Sequence, residues 1–436
     1  MDKKEQRDKE IIKSIERNIL EKNQREEGIA ILKRLIRYSE KIYGIRQMVE
    51  ELPDKRKCPR VKIGSIVGAA LVMYWTRLGS LNSLESGKES GCWKGLIGGR
   101  MGSADTIGRV FGNMSVDNLR ESMKQIYKKM KRNKALTGIR GWTIGIVDGH
   151  ETHASYRRHC SGCLQRKIKI NGVEQIQYYH RNVTFMLLAG RFRLLVDMEP
   201  HRRGEGEVTT AIRLIRRVLE NYPRAFQIVL ADALYAGAPF INFLWLHRKY
   251  SIVVLKQEQR EIYQDAMGLI RGQKPVVGKY RNRECLWWDI GDLKSWEGID
   301  YPMRIIRSEE TYRIKRQLSG EEEQQNSQWM WVTNMPESLA DTELIVGLGH
   351  SRWDIENKGF NELVNGWYTD HVCKHNANAI EAFYLVAFMA YNLFHAFLSL
   401  NIKPELKTDK SELFFVRLMI AEIFKDIPLS ASCRAP

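Results

Sequence analysis

The chain of 436 residues predicts an α/β (α+β) protein, with an all-helical amino-terminal domain followed by a mixed sheet flanked by helices and interrupted by a β-rich insertion. Three observations predict it. Apolar runs of helical character, broken by Gly and Ser, extend to about residue 134, and strand-like runs come after them. From Trp142 to Leu255 those runs order as strand, strand, strand, helix, strand, helix, strand. The first and fourth strands run into aspartates, Asp148 and Asp232, and in open sheets the reactive site gathers at such strand edges.

Charge narrows the function classes. A net charge of +17 and a pI near 9.5 favour a polyanionic partner, with nucleic acid foremost, and disfavour an acidic soluble enzyme. The seven cysteines are scattered apart from Cys160 and Cys163, and no secretory leader is evident, so free thiols in a reducing cytoplasm are expected. Ala379 to Leu400 is the one segment that resembles a membrane span. Its uninterrupted apolar run is about half of the roughly 20 residues a span needs, and Glu381, Asn392 and His395 break it, so a buried helix is expected and no membrane partner.

Residues 1–50 form a charged helical segment with a frayed tail of about fifteen residues, its apolar positions being Ile19, Leu20, Ile29, Ile31, Leu32, Leu35 and Ile36. Residues 51–140 read as a helical DNA-binding domain, with a core helix over Ile63 to Trp75 and shorter helices within Ser80 to Ser86 and Ser103 to Lys134. Its end concentrates Lys124, Lys128, Lys129, Lys131, Arg132, Lys134 and Arg140. A single run of this kind is usually a solvated helix face, but in so basic a chain contact with DNA phosphates is the better reading.

Residues 141–255 carry the first part of the sheet. Trp142, Ile144 and Ile146 alternate along a strand that ends on Asp148, with Gly149 freeing the backbone after it. Tyr178 to Leu188 and Phe192 to Met198 form a hairpin about Ala189-Gly190-Arg191. A helix from Glu207 to Asn221 is stopped by Pro223, and FQIVLA (Phe226 to Ala231) leads into Asp232. Gly237 to Lys249 suits a helix and Ser251 to Leu255 a strand.

Residues 256–335 form the insertion, where ECLWWDI, YPMRIIRS and QWMWVTN alternate with charged turns. Its tryptophans, Trp287, Trp288, Trp296, Trp329 and Trp331, are expected mostly in the core, with base stacking as the less frequent role. Residues 336–402 return to the sheet domain, and 403–436 make a carboxy-terminal helix and tail.

Two carboxylates at neighbouring strand edges repel unless a divalent cation sits between them, and Mg²⁺ is the hard cation that favours such oxygens. The third acid is expected in LGHSRWDIENKGFNELVNGW (Leu348 to Trp367). There Arg352 and Glu356 lie four apart on one helix face, and Asp354 and Glu362 are rivals on spacing alone. Asp197, Glu199, Glu205 and Glu207 compete as well, although turns and a helix amino terminus are their more ordinary uses, and His150 and Glu151 adjoin Asp148 as candidate supporting groups.

Asp148, Asp232 and Glu356, in that order on strand, strand and helix, resemble the DDE transposases of bacterial insertion sequences, which share a ribonuclease-H-like catalytic domain. More narrowly, the chain is similar to the group with a Tyr-x2-Arg-x3-Glu-x6-Lys signature. Arg352 and Glu356 match its Arg-x3-Glu core, while Gly349 and Leu363 occupy the outer positions, with His350, Lys358 and Lys374 as substitutes. IVDGHETHASYRRHCSGCLQR and VLADALYAGAPF also resemble segments of related transposases, and the resemblance runs from about Lys55 to Leu400.

It implies an endonuclease and strand-transfer enzyme, performing phosphodiester hydrolysis and transesterification at terminal inverted repeats and target DNA. Two Mg²⁺ (or Mn²⁺) ions roughly 3.5–4 Å apart would be held by Asp148, bridging, and by Asp232 and Glu356. Arg352 and Lys358 would meet DNA phosphates. A homodimer on DNA and a cytoplasmic, nucleoid-associated protein of a bacterium or archaeon are further implications. The alternatives are a nuclease of the same fold without strand transfer, and a non-catalytic transposase-derived DNA-binding protein.

His153, His159, Cys160 and Cys163 crowd the connection after Asp148, and CSGC has ligand spacing for zinc. A single Cys-x2-Cys without a second pair is a weak signal, so a plain loop with thiols is the leading reading there.

Overall fold

A computed structural model describes residues 30–316 and 320–424. The expected amino-terminal tail, with Ile19, Leu20 and Ile29, lies outside the described residues, as does the end of the carboxy-terminal tail. The chain divides into two compact units, Met1–Lys129 with Gly366–Pro436, and Met130–Asn365.

Among the described residues the first unit begins with helices α1 (Ile31–Tyr38), α2 (Ile45–Glu50), α3 (Ile63–Trp75), α4 (Leu81–Ser86), α5 (Trp93–Ile97), α6 (Ala104–Phe111) and α7 (Val116–Arg132). A π-helical turn, Ser39–Tyr43, continues from α1 and ends at Gly44, whose φ of 65° suits a residue without Cβ. IGSIVGAALVMYW is apolar all round, so α3 is buried along nearly its whole length, as a central helix must be. Ser80 and Ser103 start α4 and α6 by accepting from the amides of Ser83 and Thr106.

The second unit is organised by one ten-stranded sheet. Its elements are β1 (Ile144–Ser155), β2 (Leu164–Ile170), β3 (Val173–Ala189), β4 (Phe192–Pro200), α8 (Glu207–Asn221), β5 (Ile228–Ala231), α9 (Ala238–Leu246), β6 (Tyr250–Val254), α10 (Glu261–Ile270), β7 (Val276–Tyr280), β8 (Arg283–Leu293), β9 (Met303–Lys315), β10 (Glu322–Thr333) and α11 (Thr342–Ser351). Strands β4, β3 and β1 pair antiparallel, and β1, β5 and β6 pair parallel, giving the mixed ribonuclease-H-like sheet. Helix α8 packs on β3 and β4, and α11 on β6.

The β-rich insertion continues this sheet. Strand β10 pairs antiparallel with β6, Trp331 opposite Val254 and Thr333 opposite Ile252, and β9, β8 and β7 extend it outward. An otherwise open edge strand thereby gains a partner for its backbone groups. Arg304 ties the insertion to the start of α11. It donates to both carboxylate oxygens of Asp289 at 2.7 and 2.5 Å and to the Ala340 carbonyl at 2.7 Å, just before Asp341 caps that helix.

Structure and sequence differ at two places in the sheet. Strand β1 does not end on Asp148 but runs on to Ser155, because β3 continues to pair with it after β5 has stopped. The connection after it holds a further strand, β2, hydrogen-bonded to β3 from Leu164 opposite Tyr179 to Ile170 opposite Val173.

Past residue 366 the chain completes the first unit with α12 (Ala377–Leu400), α13 (Pro404–Lys407) and α14 (Glu412–Phe424). Helix α12 is long and apolar enough to cross a membrane, yet 83% of its most apolar window is buried inside the protein, as expected of a core helix. Trp75 donates its indole N–H to the Ala390 carbonyl at 3.0 Å, and Phe111 stacks on Phe383 at 3.9 Å. From α14 the carboxylate of Glu422 accepts from the Leu32 and Lys33 amides, giving the free N–H groups that begin α1 an acceptor.

Candidate active site

Strand register brings the two aspartates together. Ile144, Gly145 and Ile146 stand opposite Ile228, Val229 and Leu230 on the parallel strand β5, so two residues further along Asp148 and Asp232 come level. Asp148 remains inside β1, opposite Thr184 of β3. At Asp232 the chain leaves the sheet for a 3-10 turn, Ala233–Tyr235, and its carboxylate caps that turn by accepting from the Leu234 amide at 2.9 Å.

Glu356 arrives from far along the chain. After α11 the helix continues as a π-helical stretch, Ile355–Phe360, rather than with regular α periodicity. Its Phe360 stacks on His150 of β1 at 4.6 Å, and Gly359 lies against Met186 and Leu195, so the stretch is seated on β1, β3 and β4. Arg352, buried, joins the acids. Its Nη1 donates to Glu356 Oε1 at 2.7 Å and to Asp148 Oδ2 at 3.3 Å.

The electrostatics arise from that crowding. Burial first, and then the negative charges of Asp232 and Glu356, push the Asp148 carboxyl up to about 7, while Arg352 and the Gly149 amide pull the other way. Among these charged groups are three carboxylates and one guanidinium, which bonds to Asp148 and Glu356. That surplus of anionic oxygen is the environment a divalent cation relieves, and the donor set is the all-oxygen one that Mg²⁺ or Mn²⁺ takes.

A fourth acid comes close, one that spacing alone does not favour. Glu207, at the start of α8, fills the space that a side chain at Gly149 would occupy, its carboxylate lying where a Cβ would stand. Tyr235 donates to Glu207 Oε1 at 2.9 Å, and Arg181 pairs with Oε2 at 2.6 Å. Burial, with the charges of Glu207, Asp148 and Asp232, holds the Tyr235 hydroxyl well above its usual range, so it stays a proton donor. The single legible signal is Gly149 itself, which reads as a strand end but is needed for this close approach.

The other acids are engaged elsewhere. Arg217 binds Asp197 at 2.7 Å and also Glu199, while Arg213 binds Glu199 and Glu205, holding the Glu205 carboxyl down to about 2. Asp354 accepts from Arg193 at 2.8 Å, Glu151 pairs with Arg166 at 2.6 Å, and Glu362 begins the next π-helical stretch, Glu362–Gly366. Of the substitutes for the outer signature, His350 is bonded to Glu310 at 2.6 Å, and Lys358 and Lys374 are exposed. Gly349 has no room for tyrosine, since even a Cβ there runs into the Trp331 indole, and Leu363 is buried core.

On α7, Lys128, Lys131 and Arg132 are exposed, whereas Lys124 pairs with Glu121 at 3.1 Å and Lys129 donates to the Tyr43 carbonyl at 2.6 Å. Arg140 pairs with Asp341. Trp287, Trp296 and Trp331 are buried, and Trp288 and Trp329 partly so. Trp353 is 40% exposed beside Arg352, whose guanidinium lies 4.8 Å from its ring. Cys160 and Cys163 gather with His180, while His159 stacks on Tyr178 at 4.6 Å.

Comparison with known proteins adds an independent line. The family model described as "Transposase DDE domain" matches residues 143–393, a span holding all three acids. No curated protein is significantly similar to the chain. Among solved structures, the piggyBac transposase in a synaptic complex with hairpin DNA aligns with a TM-score of 0.45 at 10% identity, over 92% of this chain and 83% of that one. Since the family match covers more than half of the 436 residues and includes β1, β5 and the Glu356 segment, the chain belongs to the transposase DDE domain family.

Proposed function

We propose that the protein is a DNA transposase that binds insertion-sequence ends and catalyses Mg²⁺-dependent strand cleavage and strand transfer, with Asp148, Asp232 and Glu356 as the cation-holding acids. The observation that carries this reading is the Asp148 carboxyl, buried, crowded by Asp232 and Glu356, and raised to about 7. A folded protein keeps such a cluster at a cost, which points to function. Bound divalent cations would supply Lewis-acid stabilisation of the phosphoryl oxygens and lower the pKa of the attacking water or 3′-hydroxyl.

The chain's own residues do the rest. Arg352 supplies the counter-charge through the hydrogen bonds of its Nη1 to Glu356 and Asp148. Tyr235 and Arg181 hold Glu207 in place behind Gly149, which keeps a further negative charge beside the cluster. Exposed Lys128, Lys131 and Arg132 offer phosphate contacts on α7, and Lys358 another near Glu356. Pairing of two element ends calls for two copies, so we place a homodimer on the DNA.

The test is incubation of duplex carrying the native element ends with Mg²⁺, reading both nicked and joined products. Wild type should give both. Asp148→Ala, Asp232→Ala and Glu356→Ala should each lose ~10³-fold or more in rate while still binding the duplex. Cutting without joined products selects the nuclease alternative. Full activity in Asp148→Ala removes the proposed site.

A further inference from the structure

We propose that Cys160, Cys163 and His180 form a structural Zn²⁺ site, completed by His153, which pins the β2–β3 hairpin onto the strand that carries Asp148. The site shares no ligand with the catalytic acids and stands or falls without them. Cys160 Sγ lies 3.2 Å and Cys163 Sγ 3.3 Å from His180 Nε2, and the two sulfurs are 3.8 Å apart. Around a tetrahedral zinc, with Zn–S of about 2.3 Å and Zn–N of about 2.0–2.1 Å, ligand atoms stand about 3.6–3.8 Å from one another. The sulfur pair matches that edge and the nitrogen is within a few tenths of an ångström of it.

The surroundings suit a chelating pair of cysteines. Neither cysteine is in a disulfide, and Cys163 is buried. The Cys160 amide donates to Cys163 Sγ at 3.2 Å. A chelating turn of this type turns its N–H groups towards sulfur. One imidazole nitrogen facing two sulfurs satisfies at most one S–H partner at a time, whereas a single cation satisfies all three atoms together.

The fourth ligand comes from a distortion in β1. Its pairing with β3 shifts between Thr152 and Ser155, and Thr152 stands directly opposite His180. In that bulge His153 adopts φ of 59°, a left-handed conformation uncommon for a residue with a side chain. Bulges re-aim side chains, and here the two imidazole rings come to 6.0 Å between centroids. Two thiolates and two imidazoles select zinc among common cations and leave a neutral centre.

Such a centre gives the hairpin an anchor that its apolar residues do not supply. Strand β2 exposes Arg166, Lys167 and Lys169, and the loop before it exposes Arg157 and Arg158, so apolar burial alone does little to hold this basic arm. Zinc would fix its root through ligands from β1, the loop and β3, with Arg203 donating to the Cys163 carbonyl at 2.9 Å as a further tie.

The experiment uses the full chain, purified without chelator or added metal. Elemental analysis should find about one Zn²⁺ per chain in wild type, falling to near background in Cys160→Ser, Cys163→Ser and His180→Ala. Because those variants can misfold, wild type is also exchanged with Co²⁺. Sulfur-to-cobalt charge transfer with intense tetrahedral d–d bands is expected, and His153→Ala should weaken metal retention and change the d–d spectrum. On removal of zinc by a chelator, amide exchange should quicken across residues 153–180 while the first unit keeps its protection. Wild type isolated without zinc that gives no sulfur charge transfer with Co²⁺ overturns the proposal, as does a Cys160–Cys163 disulfide in the metal-free protein. An unchanged Co²⁺ spectrum in His153→Ala overturns its place as fourth ligand.

Discussion

Asp148 is where residue-scale physics is most exposed. Its folded carboxyl titrates near 7, above the unfolded value of 3.8, so its ionisation opposes folding. The cost is absent below the unfolded pKa, grows as pH rises and is complete above about 7, amounting to roughly 4 kcal/mol at full ionisation. Asp148→Asn should therefore raise the melting temperature of metal-free protein at about pH 8, and the gain should shrink steadily towards about pH 4, as read by thermal denaturation. Equal gains at both pH values would show that the crowding is not electrostatic. Arg352 acts oppositely. Arg352→Ala should destabilise metal-free protein by about 3 kcal/mol, because it leaves the acids without their counter-charge, and millimolar divalent cation should restore much of that loss. Both Arg352 and Glu356 are legible from their spacing of four. That the guanidinium also reaches Asp148 is not, since spacing places it beside Glu356 and the family resemblance implies a DNA phosphate contact.

At the scale of elements, the hairpin, α8 and the short strands before Asp232 and Leu255 arise from local periodicity, which pairing and packing then confirm. The departures have local causes. Gly149 reads as a break because glycine weakens strands, yet β3 carries β1 past it and the missing side chain admits Glu207. Strand β2 is an edge strand, LQRKIKI, largely solvated on both faces, so its hydrophobic signal is faint. The Glu356 segment keeps a buried Ile355, Phe360 and Leu363 but winds as π-helix, which spacing rules built on 3.6 residues per turn do not anticipate. Close packing makes two glycine predictions. Gly349→Ala should lose about 1–3 kcal/mol against the Trp331 indole, measured by chemical denaturation. Gly149→Ala should displace the Glu207 carboxylate and reduce strand cleavage with the first unit's fold unaffected; retention of full cleavage would separate Glu207 from the site.

At the scale of the whole molecule, a net charge of +17 is a statement about partners and association. Duplex binding should fall linearly in log–log form with salt. Replacing Lys128, Lys131 and Arg132 together by alanine should flatten that slope by about three, roughly one for each phosphate no longer neutralised, without altering which sequence is preferred. An unchanged slope would return this stretch to an ordinary solvated helix face. The sheet is also a whole-molecule property, since the insertion lengthens the sheet that carries Asp148 through β6 and β10 instead of standing apart from it.

By itself the sequence determined the order of helices and strands, the basic character, the two aspartates that follow strand-like runs and the Arg-x3-Glu pair. Each of these is a property of neighbours along the chain, carried by periodicity, spacing and composition. Tertiary structure alone decided that Asp148 stands level with Asp232, that Glu207 reaches Gly149 and that His180, not His159, joins Cys160 and Cys163. Those facts depend on strand register and on which distant charges share one buried space, and a shift of a single residue in the pairing of β1 with β3 would turn Asp148 and His180 to the opposite face of the sheet.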